Sequence, residues 1–360
     1  MSRILLVLGA AVALTVVLPL FQPIPVGHKP VSTIADFITD STPIPNYHMV
    51  FSTSCSPQQH WESMVFFYHA HKVKQPGTVT RIVSGCHEKD QLQSFHDQYS
   101  AVLNANFLLH ETPDFSRIAL TEGKHSYKYM NKPYGLQHWL DSHPELPDDD
   151  ILMLLDPDMV LLRPLTHVFT SPTDQIIASE QSKVVVRHGH PVAQQDGYLD
   201  SAWTRLNVTY IANTTTPVPL PKASEGRLYW NSGPPYLMTI RDARRLAATW
   251  ADYAPRVLDL YPKLFAEMFG YIHAAVQLNL PHTLVKSMVV STTKSRDREG
   301  WSLIDALPDD RLCDPPVDAP MPIGLHYCKR YLLGKQFFSK YRMKKNMYVE
   351  QCFPLCALQT

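Results

Sequence analysis

The chain has 360 residues, 33 basic against 33 acidic side chains and 45% hydrophobic content. That apolar share excludes a wholly disordered protein, and the balanced charge leaves no basic footprint for nucleic acid. Thirty prolines against 14 glycines point to stiff, irregular connections rather than tight glycine turns.

Residues 4–21 form an uncharged apolar run behind a single Arg3. Its length sits at the lower edge of the roughly 17–25 residues that span a bilayer. The run predicts an uncleaved signal anchor with residues 1–3 as a cytosolic tail. Two alternatives stand beside it: a signal cleaved near Ala11-Val12-Ala13, and a buried core helix. Pro23, Pro25, Pro30, Pro43 and Pro45 then mark residues 22–46 as a stem. An anchored or secreted chain places the remainder in the secretory lumen, in the Golgi or endoplasmic reticulum. The sequons at Asn207 and Asn213 agree with that compartment, as does an even count of six cysteines. Six cysteines allow about 15 pairings, and spacing does not choose among them. Cys352 and Cys356 lie in a tail at 346–360.

From residue 47 to 345 the pattern is that of one α/β catalytic domain. Residues 48–53 and 78–84 read as strands, with a helix over 61–72 that starts at Ser56-Pro57. Residues 132–140 read as a helix with Pro133 in its first turn. Residues 151–155 are a continuous apolar run of the kind found in central strands covered on both faces. A strand over 236–240 and helices over 241–253 and 263–278 follow. Strand and helix alternation of this kind predicts a mainly parallel sheet flanked by helices, with ligands beyond the strands' C-terminal ends.

Directly after the central run comes Asp156-Pro157-Asp158. Two carboxylates at i and i+2 leaving a strand can converge on one hard divalent cation such as Mn²⁺ or Mg²⁺. The competing reading is a solvated acidic turn. Asp148-Asp149-Asp150, ahead of the strand, is expected to be such a turn. His188 and His190 flank Gly189 without an evident partner.

An apolar strand ending in this acidic pair, in a lumenal chain, resembles the GT-A fold of nucleotide-sugar glycosyltransferases, a Rossmann-like mixed sheet. Further segments narrow the resemblance: His48-Met49-Val50-Phe51-Ser52, Gln75-Pro76-Gly77, Asn131-Lys132-Pro133-Tyr134-Gly135 and Glu267-Met268-Phe269-Gly270-Tyr271. In this order they resemble the plant and algal hydroxyproline O-arabinosyltransferases and peptidyl serine α-galactosyltransferases. The resemblance implies retaining transfer from a UDP-sugar to a peptidyl hydroxyproline or serine. It implies a metal held by Asp156, Asp158 and His326, and donor contacts from Ser52, Thr53, Lys132, Asp156, Asn231, Ser232 and Gly233. It further implies that Glu267 faces the acceptor, with Asp158 as the other catalytic carboxylate. The alternatives are a different glycan acceptor, or a lumenal sugar-binding protein without turnover. The Asp156-Pro157-Asp158 triplet stands where the arabinosyltransferases tend to carry Glu-Pro-Asp.

Overall fold

A computed structural model describes residues 45–86, 97, 106–117, 126–196, 199, 201–308, 316, 318–329, 331–333 and 336–340. The apolar run at 4–21, most of the stem and the tail at 346–360 lie outside these residues. Among the described residues, no helix is long and apolar enough to cross a membrane.

The first strand, β1 (Tyr47–Ser54), leads into helix α1 (Pro57–Lys72). Ser56 caps α1 by accepting from the Gln59 amide, and Pro57 occupies the first turn, where its missing N–H costs nothing. Strands β2 (Thr78–Ser84) and β3 (Phe107–Thr112) follow, then α2 (Asn131–Ser142) and β4 (Ile151–Leu155). Beyond β4 come β5 (Met159–Leu161), the hairpin β6 (Val168–Thr170) and β7 (Lys183–Val185), and β8 (Val192–Gln195). The long β9 (Ser232–Thr239) runs into α3 (Ile240–Leu260) and α4 (Ala266–Gln277). The chain closes with β10 (Thr283–Val285), β11 (Val289–Val290), α5 (Trp301–Asp305), β12 (Gly324–His326), and the hairpin β13 (Tyr331–Leu333) and β14 (Gln336–Phe338).

The main sheet has the order β10-β8-β9-β4-β1-β2-β3. Strands β3, β2, β1 and β4 are mutually parallel, and β9 runs antiparallel between β4 and β8. The mixed, mainly parallel sheet flanked by helices that the sequence predicts is therefore present. The continuous run at 151–155 is explained by what covers it. Leu152 and Leu154 pack with α2, α3 and α4 on one face. Ile151, Met153 and Leu155 pack with Phe66, Phe67 and Ala70 of α1 on the other. All five are at most 1% exposed, so no position of β4 has a reason to be polar.

Strand β9, helix α3 and Asp150 each differ from the sequence expectation. Strand β9 starts at Ser232 rather than 236, and the β8–β9 register shifts between Ala193 and Gln194. Pro234 and Pro235 supply no amide to the ladder, which is why the pattern there reads as a turn. Helix α3 continues past Pro255 to Leu260, because burial of Ala254, Val257 and Leu258 outweighs one lost hydrogen bond. Asp150 is buried, unlike its exposed neighbours Asp148 and Asp149. Its carboxylate accepts from the Asn46 backbone and side-chain amides at 3.2 Å and pairs with His48 Nε2 at 3.1 Å. It ties the N-terminal ends of β1 and β4 together, at the end opposite Asp156.

Cys55 and Cys86 form a disulfide beyond the ends of β1 and β2, which settles one of the open pairings. Cys328 is a free thiol. His188 does find a partner: its Nδ1 lies 2.8 Å from Asp242, whose carboxylate also accepts from the Gly189 amide.

Five imidazoles of the described residues, His167 among them, are disfavoured as cations by burial. The pKa falls to about 2 at His60 and to about 3 at His282. It falls to about 4 at His110 and at His273. In the unfolded chain each takes up a proton near pH ~6.5, whereas in the fold each resists until well below that value. The stability they carry is present above pH ~6.5 and is lost as pH falls towards the folded values, at up to ~1.4 kcal/mol per pH unit and group. The raised values at Glu62 and His326 act in the opposite sense over this range, and with these imidazoles outnumbering them urea denaturation at pH 5.5 should still give a lower midpoint than at pH 7.5. Replacing His282 by Gln, which can still bond Tyr271 Oη, should flatten that dependence.

Candidate active site

The C-terminal ends of the parallel strands meet at one cavity, lined by Ser52, Thr53, Lys132, Asp156, Asp158, Glu267 and His326, among others. Topology explains the convergence. Asp156 and Asp158 leave β4 and enter β5. In the small sheet, β12 pairs with β5 in a register that sets His326 opposite Met159, one residue beyond Asp158. The Tyr327 amide donates to the Asp158 carbonyl at 3.0 Å and locks that register. Val160, Val290, Leu325 and Trp301 form the apolar cluster that holds the small sheet in place.

His326 Nε2 lies 3.2 Å from Asp158 Oδ1 and 3.9 Å from Asp156 Oδ2. One ligand atom from each of the three residues falls within a mutual spread of 4.8 Å. Two carboxylate oxygens and one imidazole nitrogen at that spacing suit Mn²⁺ or Mg²⁺. Asp158 is 5% exposed. Burial alone would raise its pKa, but the cationic His326 and Lys340 beside it hold the carboxyl well below the usual range. Burial likewise opposes a charge on His326, yet Cys328, Asp158 and Asp156 push its pKa up to about 10.

Lys132 and Glu267 stand beside this cluster. Lys132 Nζ lies 2.7 Å from Asp156 Oδ1 and 3.2 Å from Glu267 Oε1. Burial disfavours the ammonium, but the two carboxylates raise its pKa above the ordinary lysine value. Lys132 thus bridges the acidic pair and the first turn of α4. Glu267 is buried, and desolvation raises its pKa against the lowering effect of Lys132. Its Oε1 takes the lysine, while its Oε2 has no hydrogen-bond partner. The Glu267 amide donates to Tyr127 Oη at 3.3 Å, and its carbonyl accepts from Trp250 Nε1 at 2.7 Å. The backbone of the turn is therefore fixed around a carboxylate oxygen that is buried and unpaired among the described residues.

Ser52 and Thr53 line the cavity, but their hydroxyls also serve the fold. Ser52 Oγ donates to the Asn131 carbonyl and Thr53 Oγ1 to the Ile82 carbonyl, each at 3.1 Å. The buried Arg81 donates from Nε to Thr53 Oγ1 at 2.8 Å.

Asn231, Ser232 and Gly233, expected at the donor, are not among the residues that line the cavity. Asn231 Oδ1 accepts from Trp203 Nε1 at 2.9 Å and its amide donates to the Leu199 carbonyl at 3.2 Å. Ser232 Oγ donates to the Trp230 carbonyl. Gly233 is required by Asp196, because an added Cβ would lie 2.7 Å from Asp196 Oδ2 and 3.2 Å from its Cβ. Asp196, with Gln194 and Gln195 at the end of β8, is what borders the cavity there. Gly233→Ala should displace the Asp196 side chain and cost roughly 1–3 kcal/mol, as overpacking does. Chemical denaturation measures this, and an unchanged midpoint would refute it.

Glu62 and Lys340 also line the cavity, and sequence reasoning missed them. Lys340 contacts Asp158 Oδ2 and lies 3.7 Å from Glu62 Oε1. Burial lifts the Glu62 pKa to about 7 against the pull of Lys340. Glu62 sits on α1 in a run that reads as an ordinary amphipathic helix, so nothing local marks it. Lys340 is 182 residues from its partner Asp158.

Comparison with known proteins bears on this geometry. Residues 47–179 match the model of the hydroxyproline O-arabinosyltransferase family N-terminal domain. A peptidyl serine alpha-galactosyltransferase of Arabidopsis thaliana is 28% identical over 259 residues, covering 68% of this chain and 28% of that protein. Over these segments the chain is similar to peptidyl glycosyltransferases. A second protein of that name, from Chlamydomonas reinhardtii, is 28% identical over 117 residues, or 32% of this chain and 14% of its own length. The chain thus spans under a third of the curated relatives it matches. The solved structure of the galactosyltransferase LgtC in complex with donor and acceptor sugar analogs aligns with a TM-score of 0.43 and 12% identity, covering 78% of this chain and 87% of that one. The segment matched by the family model contains Asp156, Asp158 and Lys132. His326, Glu267, Glu62's partner Lys340 and Asp196 lie beyond it, and the fold brings them to the same cavity.

Proposed function

We propose that the chain transfers a sugar from a UDP-sugar to a hydroxyl of a peptidyl hydroxyproline or serine, with retention at the anomeric carbon and with Mn²⁺ or Mg²⁺ as cofactor. The observation that carries this reading is the convergence of Asp156, Asp158 and His326 at one cavity with Lys132 and Glu267. Asp156, Asp158 and His326 would hold the metal, which when bound neutralises charge developing on the departing diphosphate. Lys132 bridges Asp156 and Glu267 and fixes their separation. The unpaired Glu267 Oε2 accepts a hydrogen bond from the acceptor hydroxyl and orients its oxygen towards the donor sugar. In front-face transfer the hydroxyl's proton goes to the leaving phosphate, so Glu267 positions the acceptor and is not an obligatory base. Ser52 and Thr53, at the end of β1, flank the nucleotide.

A lumenal setting in the Golgi or endoplasmic reticulum belongs to the same reading, with residues 4–21 as the membrane anchor. The Cys55–Cys86 disulfide suits an oxidising compartment. Asn207 and Asn213 are both exposed, and Thr209 Oγ1 donates to Asn207 Oδ1 within the first sequon. Expression in a secretory host should give a product whose gel mobility rises after endoglycosidase. Asn207→Gln and Asn213→Gln should each remove one step, and mobility indifferent to the enzyme would count against both sites.

The purified lumenal portion assayed with a panel of UDP-sugars and with serine- and hydroxyproline-containing peptides tests the reaction itself. Product with one sugar and one peptide class supports the reading. Hydrolysis and transfer both absent across the panel would leave a sugar-binding role in its place.

A further inference from the structure

We propose that Lys340 makes binding of the metal conditional on the nucleotide: its ammonium occupies Asp158 until a nucleoside diphosphate draws it away, and the divalent ion enters with the diphosphate and not ahead of it. The inference rests on the reading of Asp156, Asp158 and His326 as metal ligands and names the residue that controls them.

Asp158 has both carboxylate oxygens engaged. His326 Nε2 lies 3.2 Å from Oδ1, and Lys340 Nζ donates to Oδ2. The two partners differ in kind. An imidazole can give its lone pair to a metal, whereas an ammonium has three donors and no lone pair. Lys340 therefore draws on the charge of Asp158 without being able to join the ligand set. It follows the β13–β14 hairpin, and its side chain is only 12% exposed. A second carboxylate stands within its reach, Glu62 Oε1 at 3.7 Å, and both groups border the cavity. Lys132 is the contrast. It is held between Asp156 Oδ1 at 2.7 Å and the buried Glu267 Oε1 at 3.2 Å, while Asp156 Oδ2 stays 3.9 Å from His326 Nε2. Lys132 is thus tied to two carboxylates at once, and Lys340 has one close partner and a second place to go.

Charge explains the coupling to the nucleotide. A carboxylate as buried as Asp158, at 5% exposure, needs a countercharge, and Lys340 and His326 supply it. A divalent ion brought to the same carboxylate meets the like charge of Lys340, in a place where water screens it poorly. The diphosphate of UDP adds the missing negative charge, since its oxygens can bind the ion and accept from an ammonium together. Lys340 can then leave Asp158 for a phosphate oxygen or for Glu62 and remain paired. Removing the ammonium should therefore make the nucleotide dispensable for metal binding.

The test is Mn²⁺ titration of the full chain followed by electron paramagnetic resonance, with and without UDP, after subtraction of the ion that UDP alone takes up. The wild type is expected to bind Mn²⁺ at least tenfold more tightly with UDP than without it. Lys340→Met should bind Mn²⁺ without UDP at least tenfold more tightly than the wild type does. Lys340→Arg, which keeps the charge, should retain the wild-type dependence on UDP. Lys340→Gln, whose neutral amide can still donate to Asp158, protects the comparison against loss of fold and should behave as Lys340→Met does. Thermal melting checks the fold of each variant, and Mn²⁺ alone should raise the melting temperature of both neutral variants more than that of the wild type. Equal Mn²⁺ affinity of the wild type and both neutral variants without UDP would overturn the role of Lys340 and leave the metal site standing. No depletion by any of these proteins, with or without UDP, would overturn the metal reading and the role of Lys340 together.

Discussion

Asp158→Asn is expected to lower the rate of transfer by roughly 10²–10³-fold, equivalent to about 3–4 kcal/mol of transition-state stabilisation, while the protein remains folded. Asparagine keeps the shape of the side chain and its carbonyl-type oxygen, so the turn between β4 and β5 is preserved. What it removes is a full negative charge that faces both His326 at 3.2 Å and Lys340. Asp149→Asn is the matched control, since Asp149 is exposed at the other end of β4. Initial rates and thermal melting of the two variants make the comparison. Equal loss of activity in both would contradict the assignment.

The second large effect is on stability. Lys132→Met should cost about 3–5 kcal/mol, because it leaves Asp156 and the buried Glu267 without the ammonium between them. Two neighbouring carboxylates with no cation cannot both remain ionised cheaply, so Glu267 should become protonated and lose its hold on an acceptor hydroxyl. Lys132→Met combined with Glu267→Gln should recover much of the stability and none of the activity, since the unpaired buried charge is gone. Urea denaturation of the three proteins provides the numbers. A single Lys132→Met variant within about 1 kcal/mol of wild type would show that the bridge is not what holds these groups.

The fold was legible where pattern and burial coincide. The run at 151–155 is wholly apolar because both faces of β4 are covered, and Ser56-Pro57 marks the start of α1 through capping chemistry alone. Strand β8 was hidden because Gln194 and Gln195 are buried polar residues. Gln194 spends its amide on the Arg298 and Gln195 carbonyls and its oxygen on the Val289 amide. That role is set by distant segments and leaves no local period. In the site, Asp156, Asp158, His326, Lys132 and Glu267 could be picked out because their motifs are short and ordered along the chain. The segment at 231–233 looked like a donor loop for the same reason, since a glycine beside Asn and Ser suggests backbone approaching a ligand. Here the glycine makes room for Asp196, and Asn231 secures Trp203. Glu62 and Lys340 were invisible, being single residues that acquire meaning only through long-range packing.

The central claim is that Asp156, Asp158 and His326 bind a divalent metal, and Mn²⁺ titration followed by electron paramagnetic resonance measures that without reference to turnover. The signal of free aqueous Mn²⁺ should be depleted by one equivalent of wild-type protein in the presence of UDP, and not by Asp158→Asn or His326→Ala. Equal depletion by wild type and both variants, or none by wild type, would contradict the account.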